Sequence, residues 1–225
     1  MSEDISEARE ILRELKLFWC LDDSEIVVTR LGGVNNMVFR VDHGGEQYAL
    51  RIPGNKINRA HEAIAARTAA KLGIAPDVVH FDPATGVMVT RLVDDAVTMT
   101  PQSFKTIVGA PSRAALLLRQ LHQSDVKLEP RSELLAKLAP YLKGAALVPC
   151  HCDPRCEDFL STGLRMWIVD WEYAGLCDPM WDIALLSVHG AFSDEQDAKM
   201  MQAYFDGERY LAERERVSIY KAMVR

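Results

Sequence analysis

The hydrophobic pattern changes character once along the chain, near residue 93, and this change limits the fold more than any other feature. Before it lie short β-branched and aromatic runs: Ile26 to Leu31, Met37 to Val41 and Gln47 to Ile52. They are separated by Gly32-Gly33-Val34-Asn35-Asn36 and by Asp42-His43-Gly44-Gly45-Glu46. Runs of this length joined by glycine-containing turns predict an antiparallel meander. Val78 to Phe81 and Val87 to Leu92, split by Asp82-Pro83-Ala84-Thr85-Gly86, predict a further hairpin. Two helical patterns accompany the strands. From Asp4 to Phe18 the residues Ile5, Ala8, Ile11, Leu12 and Leu15 recur at helical spacing, with Asp4 as the expected N-cap. Asn58 to Leu72 is Ala-rich and ends at Gly73, with Pro76 forbidding continuation.

From about Thr100 the period becomes helical. Pro101 to Val108, Ser112 to Gln123, Ser132 to Lys143, Pro179 to His189 and Asp194 to Asp206 each predict a helix. Only two β-like pieces interrupt them, Asp158 to Leu160 and Met166 to Trp171, joined by Ser161-Thr162-Gly163-Leu164-Arg165. The expectation is an α+β chain of two lobes: residues 1–93 a five-stranded antiparallel sheet with an inserted helix, residues 94–225 mainly helical.

Charge and composition narrow the function. Over 225 residues, 26 Lys and Arg stand against 32 Asp and Glu, a net charge of -6. The chain lacks the basic footprint of a non-specific phosphate-backbone binder, so no nucleic-acid partner is expected. No apolar run approaches the ~20 residues needed to span a bilayer, and Met1 to Glu10 is acidic where a secretory signal is basic and then apolar. The expectation is a cytoplasmic protein without membrane insertion. Five cysteines, with Cys150, Cys152 and Cys156 crowded together, suit reduced thiols rather than a disulfide framework. The oligomeric state is not legible.

The densest polar cluster is His151-Cys152-Asp153-Pro154-Arg155-Cys156-Glu157-Asp158, followed by Ile168-Val169-Asp170-Trp171-Glu172. Carboxylates at the two ends of a tight hairpin, Asp158 and Asp170, can place oxygens on one hard cation. A third, Asp153, is left to accept a proton. Taken singly, each Asp reads as a turn or cap residue; together they describe phosphoryl-transfer chemistry. Zinc on Cys150, His151, Cys152, Cys156 and Cys177 is a competing reading, and the chain would then be a zinc-dependent interaction protein. The spacing disfavours it, because consecutive residues of an extended segment point to opposite faces and no second C-x-x-C follows.

The order of a sheet-rich lobe, a helical lobe, H-x-D-x-x-x-x-D and I-V-D-W-E resembles the kinase-like aminoglycoside and choline phosphotransferase family. Leu31 to Arg40 (LGGVNNMVFR), Tyr48 to Gly54 (YALRIPG), Val148 to Phe159 (VPCHCDPRCEDF) and Met166 to Trp181 (MWIVDWEYAGLCDPMW) look especially like bacterial choline kinases. The resemblance implies a protein-kinase-like two-lobed fold, ATP and Mg2+ as cofactors, and transfer of phosphate to the hydroxyl of choline or a similar amino alcohol. It implies that Asp153 orients and deprotonates the acceptor hydroxyl and that Asp170, with Asp158, chelates magnesium on the nucleotide phosphates. Gly32 and Gly33 would let the first hairpin approach those phosphates, with Asn35 or Asn36 supplying amide donors. Arg51 would contact phosphate while Glu62 pairs with it; the plainer reading of that pair is a surface ion pair. Thr90 and Leu92 fall where the adenine-contacting segment is expected. Trp171 and Tyr173 could hold a quaternary ammonium on their ring faces, with Glu172 adding negative charge. His151 is expected to hold the catalytic loop, and Asp178 and Asp182 to brace it or cap the next helix.

Three features depart from the family pattern. Asp158 stands where Asn is usual, the stretch from Gln123 to Val148 is shorter than expected, and the sequence ends at Arg225 where relatives continue into further helices. They motivate two alternatives: a catalytically weak or silent kinase-like binding module, and a kinase for aminoglycosides or thiamine.

Overall fold

The computed structural model describes residues 3–18, 26–33, 36–54, 59–142, 144–206 and 210–224. The chain forms two compact units, Met1–Ala63 with Pro76–Val93, and Ile64–Ala75 with Asp94–Arg225. Ile64–Ala75, expected in the first lobe, belongs to the second unit.

The first unit begins with α1 (Glu3–Glu14) and a 3-10 turn at Lys16–Phe18, followed by β1 (Ile26–Gly32), β2 (Asn36–His43) and β3 (Glu46–Pro53). Helix α2 (Ala60–Lys71) precedes β4 (Val78–Phe81) and β5 (Met88–Arg91). The sheet runs β1-β2-β3-β5-β4 and every neighbouring pair is antiparallel. The period of two is plain in β3, where Tyr48, Leu50 and Ile52 are buried. They join Phe39, Val41 and Val89 of the sheet and Ala8, Leu12 and Phe18 in one core. Asp4, expected as the helix cap, instead lies inside the first turn and pairs with Arg30 of β1. The helix already begins at Glu3, so an acidic residue there serves the positive helix end and the neighbouring strand.

The turn between β4 and β5 is fixed by Asp82, which accepts from Ala84 N at 2.9 Å and from the Thr85 hydroxyl at 2.6 Å. It ends at Gly86, φ +75°, where an added Cβ would lie 2.5 Å from Arg59 Cδ and 2.9 Å from Pro53 Cγ. The backbone conformation and the space both demand glycine.

In the second unit, β6 (Val97–Thr98) leads to α3 (Pro101–Thr106) and α4 (Ala110–His122). Next come α5 (Ser132–Leu138) with a 3-10 turn at Ala139–Tyr141, then β7 (Val148–Cys150), β8 (Phe159–Ser161), β9 (Met166–Ile168) and β10 (Gly175–Cys177). Helices α6 (Pro179–His189), α7 (Asp194–Phe205) and α8 (Leu211–Val224) complete it. Helix α4 packs on α7 and α6 on α8, burying Leu118, Leu121, Ile183, Leu186, Met200 and Tyr220. The caps are explicit in the sequence: Thr100 accepts from Ser103 N ahead of Pro101, and Ser193 exchanges hydrogen bonds with Gln196. Two small sheets, β7 with β10 and β6-β8-β9, carry the polar loops. Sequence periodicity does not reveal β6, β7 or β10, because two or three residues are too few for alternation to show. The helix expected from Ser132 to Lys143 stops at Leu138, ahead of Pro140, whose ring cannot continue it. No helix among the described residues is long and apolar enough to cross a membrane.

Replacing Gly86 by Ala is expected to lower stability by about 1–3 kcal/mol, the usual cost of overpacking a fixed site, seen as a reduced urea midpoint at unchanged slope. An unchanged midpoint would show that Arg59 and Pro53 yield freely.

Candidate active site

Strand β7 pairs with β10 in the register Val148 to Cys177 and Cys150 to Gly175, and the polar segment begins where that ladder ends. Asp182, on the first turn of α6 and fully buried, receives two consecutive backbone donors from this segment. His151 N reaches its Oδ2 at 2.7 Å and Cys152 N reaches its Oδ1 at 2.8 Å. On the other side of the same residue, the Trp181 indole donates to the Cys152 carbonyl at 3.0 Å. Cys152 is thereby held at φ +70°, a left-handed conformation costing on the order of 1–3 kcal/mol in a residue with a side chain. The next residue is Asp153.

Asp182 is itself oriented by His122 of α4, whose Nε2 lies 3.0 Å from Oδ2, while His122 Nδ1 meets the Tyr204 hydroxyl at 2.7 Å. Burial pulls the His122 pKa down most strongly, yet the hydrogen bond to Asp182 and the charges of Tyr204 and Asp182 leave it above the ordinary imidazole value. Asp178 has the other role open to these two acids. It caps α6 through Met180 N at 3.0 Å and receives the Tyr220 hydroxyl of α8 at 2.9 Å.

The carboxylates follow. Asp153 is about a quarter exposed, its Oδ2 3.1 Å from Arg155 Nε and its Oδ1 4.0 Å from His189 Nε2. Asp158 closes the short 3-10 turn Cys156–Asp158, its Oδ2 accepting from Arg155 N at 2.8 Å. The hairpin β8–β9 pairs Phe159 with Ile168, and Val169 N donates to Asp158 O at 2.8 Å. Asp158 and Asp170 therefore stand together at the open end of that hairpin. Asp170 has φ +67° and ψ +65°, heads the 3-10 turn Trp171–Tyr173, and makes no side-chain cap to it. The strand expected to run to Trp171 ends at Ile168 because of this left-handed residue.

Burial, reinforced by Asp170 and Asp153 and opposed by His151 and the Arg155 amide, pushes the Asp158 carboxyl up to about 7. Two carboxylates at one end of a hairpin, that of Asp158 buried, are a hard oxygen donor set, the chemistry that Mg2+ or Ca2+ takes, and a divalent cation would supply the charge that offsets their repulsion. The residues fit magnesium.

His151 is buried, its Nε2 2.9 Å from the Val169 carbonyl and its ring centroid 5.0 Å from that of Trp171. It joins the loop carrying Asp153 to the loop carrying Asp170. Trp171, expected to offer a ring face, is buried against this histidine. Tyr173 is 43% exposed, and the Arg131 guanidinium lies 5.5 Å from its ring centroid. Arg131 reaches it across Gly175, where a Cβ would lie 2.6 Å from Arg131 Cδ. The Tyr173 phenol is raised by the charge of Glu172 first, then by burial, Asp153, a hydrogen bond to Glu172, and Asp170. Tyr173 and Glu172 therefore share the electrostatic neighbourhood of Asp153 and Asp170.

The zinc reading finds no support in this geometry. His122, Cys150 and Asp182 bring ligand atoms within 4.8 Å of one another. The His122 and Asp182 atoms are already bonded to each other, to Tyr204 and to two backbone amides. Burial pushes Cys150 and Cys156 up to about 12, which disfavours the thiolates zinc requires.

In the first unit, the turn after β1 is set by Gly33, φ +103°, where a Cβ would fall 1.8 Å from Asn36 O. Asn36 opens β2 opposite Pro53, and Asn35 lies outside the described residues. Arg51 of β3 forms an ion pair with Glu62 of α2, both side chains nearly inaccessible, so the pair is buried rather than superficial. Arg59 is the third member: its Nη1 reaches Glu62 Oε2 at 3.1 Å while Arg51 holds Oε1. Burial raises the Glu62 pKa, opposed by the Arg51 charge and by hydrogen bonds from both arginines. Thr90 lies in β5 opposite Ala49, and Leu92 N donates to Gln47 O at 3.0 Å just beyond the strand. Arg59, His122, Arg131 and His189 escaped sequence reading; only Arg59, one helical turn before Glu62, carried a local signal.

Residues 110–219 match the sequence profile of the phosphotransferase enzyme family. A choline/ethanolamine kinase family protein from Mesorhizobium loti is 46% identical, with 98% of this chain and 82% of that one aligned at a TM-score of 0.85. The choline kinase LicA from Streptococcus pneumoniae shares the fold at 22% identity, with 99% and 87% of the two chains covered and a TM-score of 0.75. Protein LicA from Haemophilus influenzae is 24% identical over 223 residues, covering 84% of this chain; the chain spans 66% of that relative's length. The kinase-like fold, the loop that carries Asp153 and a 46% identity over nearly the whole chain lead to one conclusion: the chain belongs to the phosphotransferase enzyme family, among the choline/ethanolamine kinase family proteins.

Proposed function

We propose that this chain transfers a phosphoryl group from Mg2+-bound ATP to the hydroxyl of choline or a similar amino alcohol, in the cytoplasm. The observation that carries the reading is the Asp182 carboxylate clamping two consecutive amides so that Asp153 follows at a fixed position. Asp153 acts as the proton acceptor for the substrate hydroxyl, its second oxygen held by Arg155 so that one oxygen stays directed at the acceptor. Asp158 and Asp170 hold the magnesium. When bound, that ion neutralises charge on the transferring phosphate. Arg51, aimed by Glu62, contacts phosphate, and Gly32, Gly33 and Asn36 shape the turn that receives it. The similarity to a choline/ethanolamine kinase family protein and to a choline kinase supports an amino-alcohol acceptor, and here Glu172 and the exposed ring of Tyr173 are the groups suited to its cationic end. Trp171, buried on His151, supports the loop instead. Four free, buried cysteines suit a reducing compartment.

An ADP-release assay against choline, ethanolamine and a panel of aminoglycosides, with magnesium omitted as control, tests this reading. Magnesium-dependent turnover on choline or ethanolamine is expected, and turnover only on aminoglycosides would move the acceptor to the other branch. No turnover with any acceptor would favour the silent binding module. In the active protein, Asp153→Asn is expected to cut kcat ~100- to 10,000-fold while leaving Mg-ATP affinity largely intact; an unchanged rate would remove Asp153 from the mechanism. Asp170→Ala should instead lose magnesium-dependent nucleotide binding, because it deletes a ligand oxygen. Calorimetric titration giving equal Mg-ATP affinity in variant and wild type would refute that assignment.

A further inference from the structure

We propose that His189 is the proton-relay partner of Asp153, receiving at Nε2 the proton that Asp153 Oδ1 takes from the acceptor hydroxyl. The inference rests on the reading of Asp153 as proton acceptor and adds a residue to it. His189 is the last residue of α6, the helix whose first turn carries Asp182, so one rigid element both clamps the catalytic loop and presents this imidazole. Its Nε2 is buried with no hydrogen-bond partner among the described residues, and it lies 4.0 Å from Asp153 Oδ1. A buried ring nitrogen left unpaired costs free energy, and in a site otherwise rich in hydrogen bonds it calls for a purpose. The opposite oxygen of Asp153 is engaged by Arg155 Nε at 3.1 Å, so Oδ1 is the oxygen left to face the histidine.

The electrostatics suit a proton acceptor. Burial first, and then the Arg155 charge, lower the His189 pKa, with Asp153 and Glu157 opposing. The imidazole is neutral at pH 7, and in its Nδ1–H tautomer the Nε2 lone pair faces Asp153. Two facing lone pairs keep the resting groups at 4.0 Å. Once Asp153 is protonated, its O–H becomes a donor that Nε2 can accept.

In the step, the acceptor O–H bond breaks as its oxygen forms the new bond to the γ-phosphorus. The bond between that phosphorus and the bridging oxygen breaks, leaving its electron pair on ADP. The proton passes from the hydroxyl to Asp153 Oδ1 and then to His189 Nε2, and a ring proton is released to water. The second transfer returns Asp153 to its ionised form, ready for the next acceptor hydroxyl.

The test compares wild type, His189→Ala, His189→Gln and Asp153→Asn, with kcat and the KM for ATP measured on choline from pH 5.5 to 8.5. Both His189 variants should lose about 100-fold in kcat, the lower end for a positioned acid–base group, with the ATP KM unchanged. Wild type should show an acid limb as the His189 imidazole protonates, that limb should vanish in both variants, and added imidazole should restore rate to His189→Ala but not to His189→Gln. Wild-type kcat in His189→Ala, or a slow variant that keeps the acid limb and ignores imidazole, overturns the relay. An inactive Asp153→Asn beside a fully active His189→Ala sinks the relay alone, whereas a fully active Asp153→Asn sinks the reading beneath it. A measurement free of turnover runs in parallel: the His189 pKa from NMR titration should fall in Asp153→Asn, which removes the facing carboxylate, and equal values in the two proteins contradict the pairing.

Discussion

A single carboxylate organises the catalytic half of this protein. Asp182 is fully buried, and a buried carboxylate without partners costs several kcal/mol. It is stable because three donors meet it, two consecutive backbone amides and His122. Hydrogen bonds to charged groups contribute ~1.5–3 kcal/mol each, so the desolvation cost is offset only while all three hold. That requirement fixes the two peptide units ahead of Asp153. The left-handed Cys152 is the local strain this arrangement sustains, and the Trp181 indole on its carbonyl helps to sustain it. Since Trp181 and Asp182 share the first turn of α6, the positions of Asp153 and of the helix are one geometric fact.

Charge in the second unit is arranged around that fact. Asp153, Asp158, Asp170 and Glu172 crowd a small volume, as the raised Asp158 carboxyl and Tyr173 phenol register. Among the described residues Arg155, Arg131, His151 and His189 lie close by with opposing or neutral character. Such a set is held apart by the scaffold and is suited to a divalent cation and a cationic alcohol, which lower the repulsion that folding alone leaves in place. Arg131 over Tyr173 marks where that preference is tempered, since one face of the exposed ring already carries a guanidinium.

Much of this was legible in the chain. The five strands of the first unit announce themselves because apolar Tyr48, Leu50 and Ile52 alternate with other residues along β3, and glycines mark the turns. Asp153, Asp158 and Asp170 stand out as candidates in the sequence because they fall at short spacing within one loop and one hairpin. Other parts depend on distance. His122 meets Asp182 across 60 residues and Tyr204 across 82, and nothing local in Leu121-His122-Gln123 points to either. Trp171 shows the opposite failure: an aromatic beside a carboxylate expected to bind metal reads equally well as a ligand face or as packing, and only burial on His151 decides. Helix α8 escaped because its inward face is thin, with Val217 and Tyr220 its buried side chains.

The most direct measurement is the effect of Asp182→Asn on turnover and nucleotide affinity together. The amide keeps the size of the carboxylate but turns one of its two acceptors into a donor facing a backbone N–H, so the loop before Asp153 loses one anchor while Asp158 and Asp170 are untouched. A folded variant with strongly reduced kcat and near-normal Mg-ATP affinity is the expected result. A variant that folds and turns over at the wild-type rate would show that the buried clamp does not set the position of Asp153.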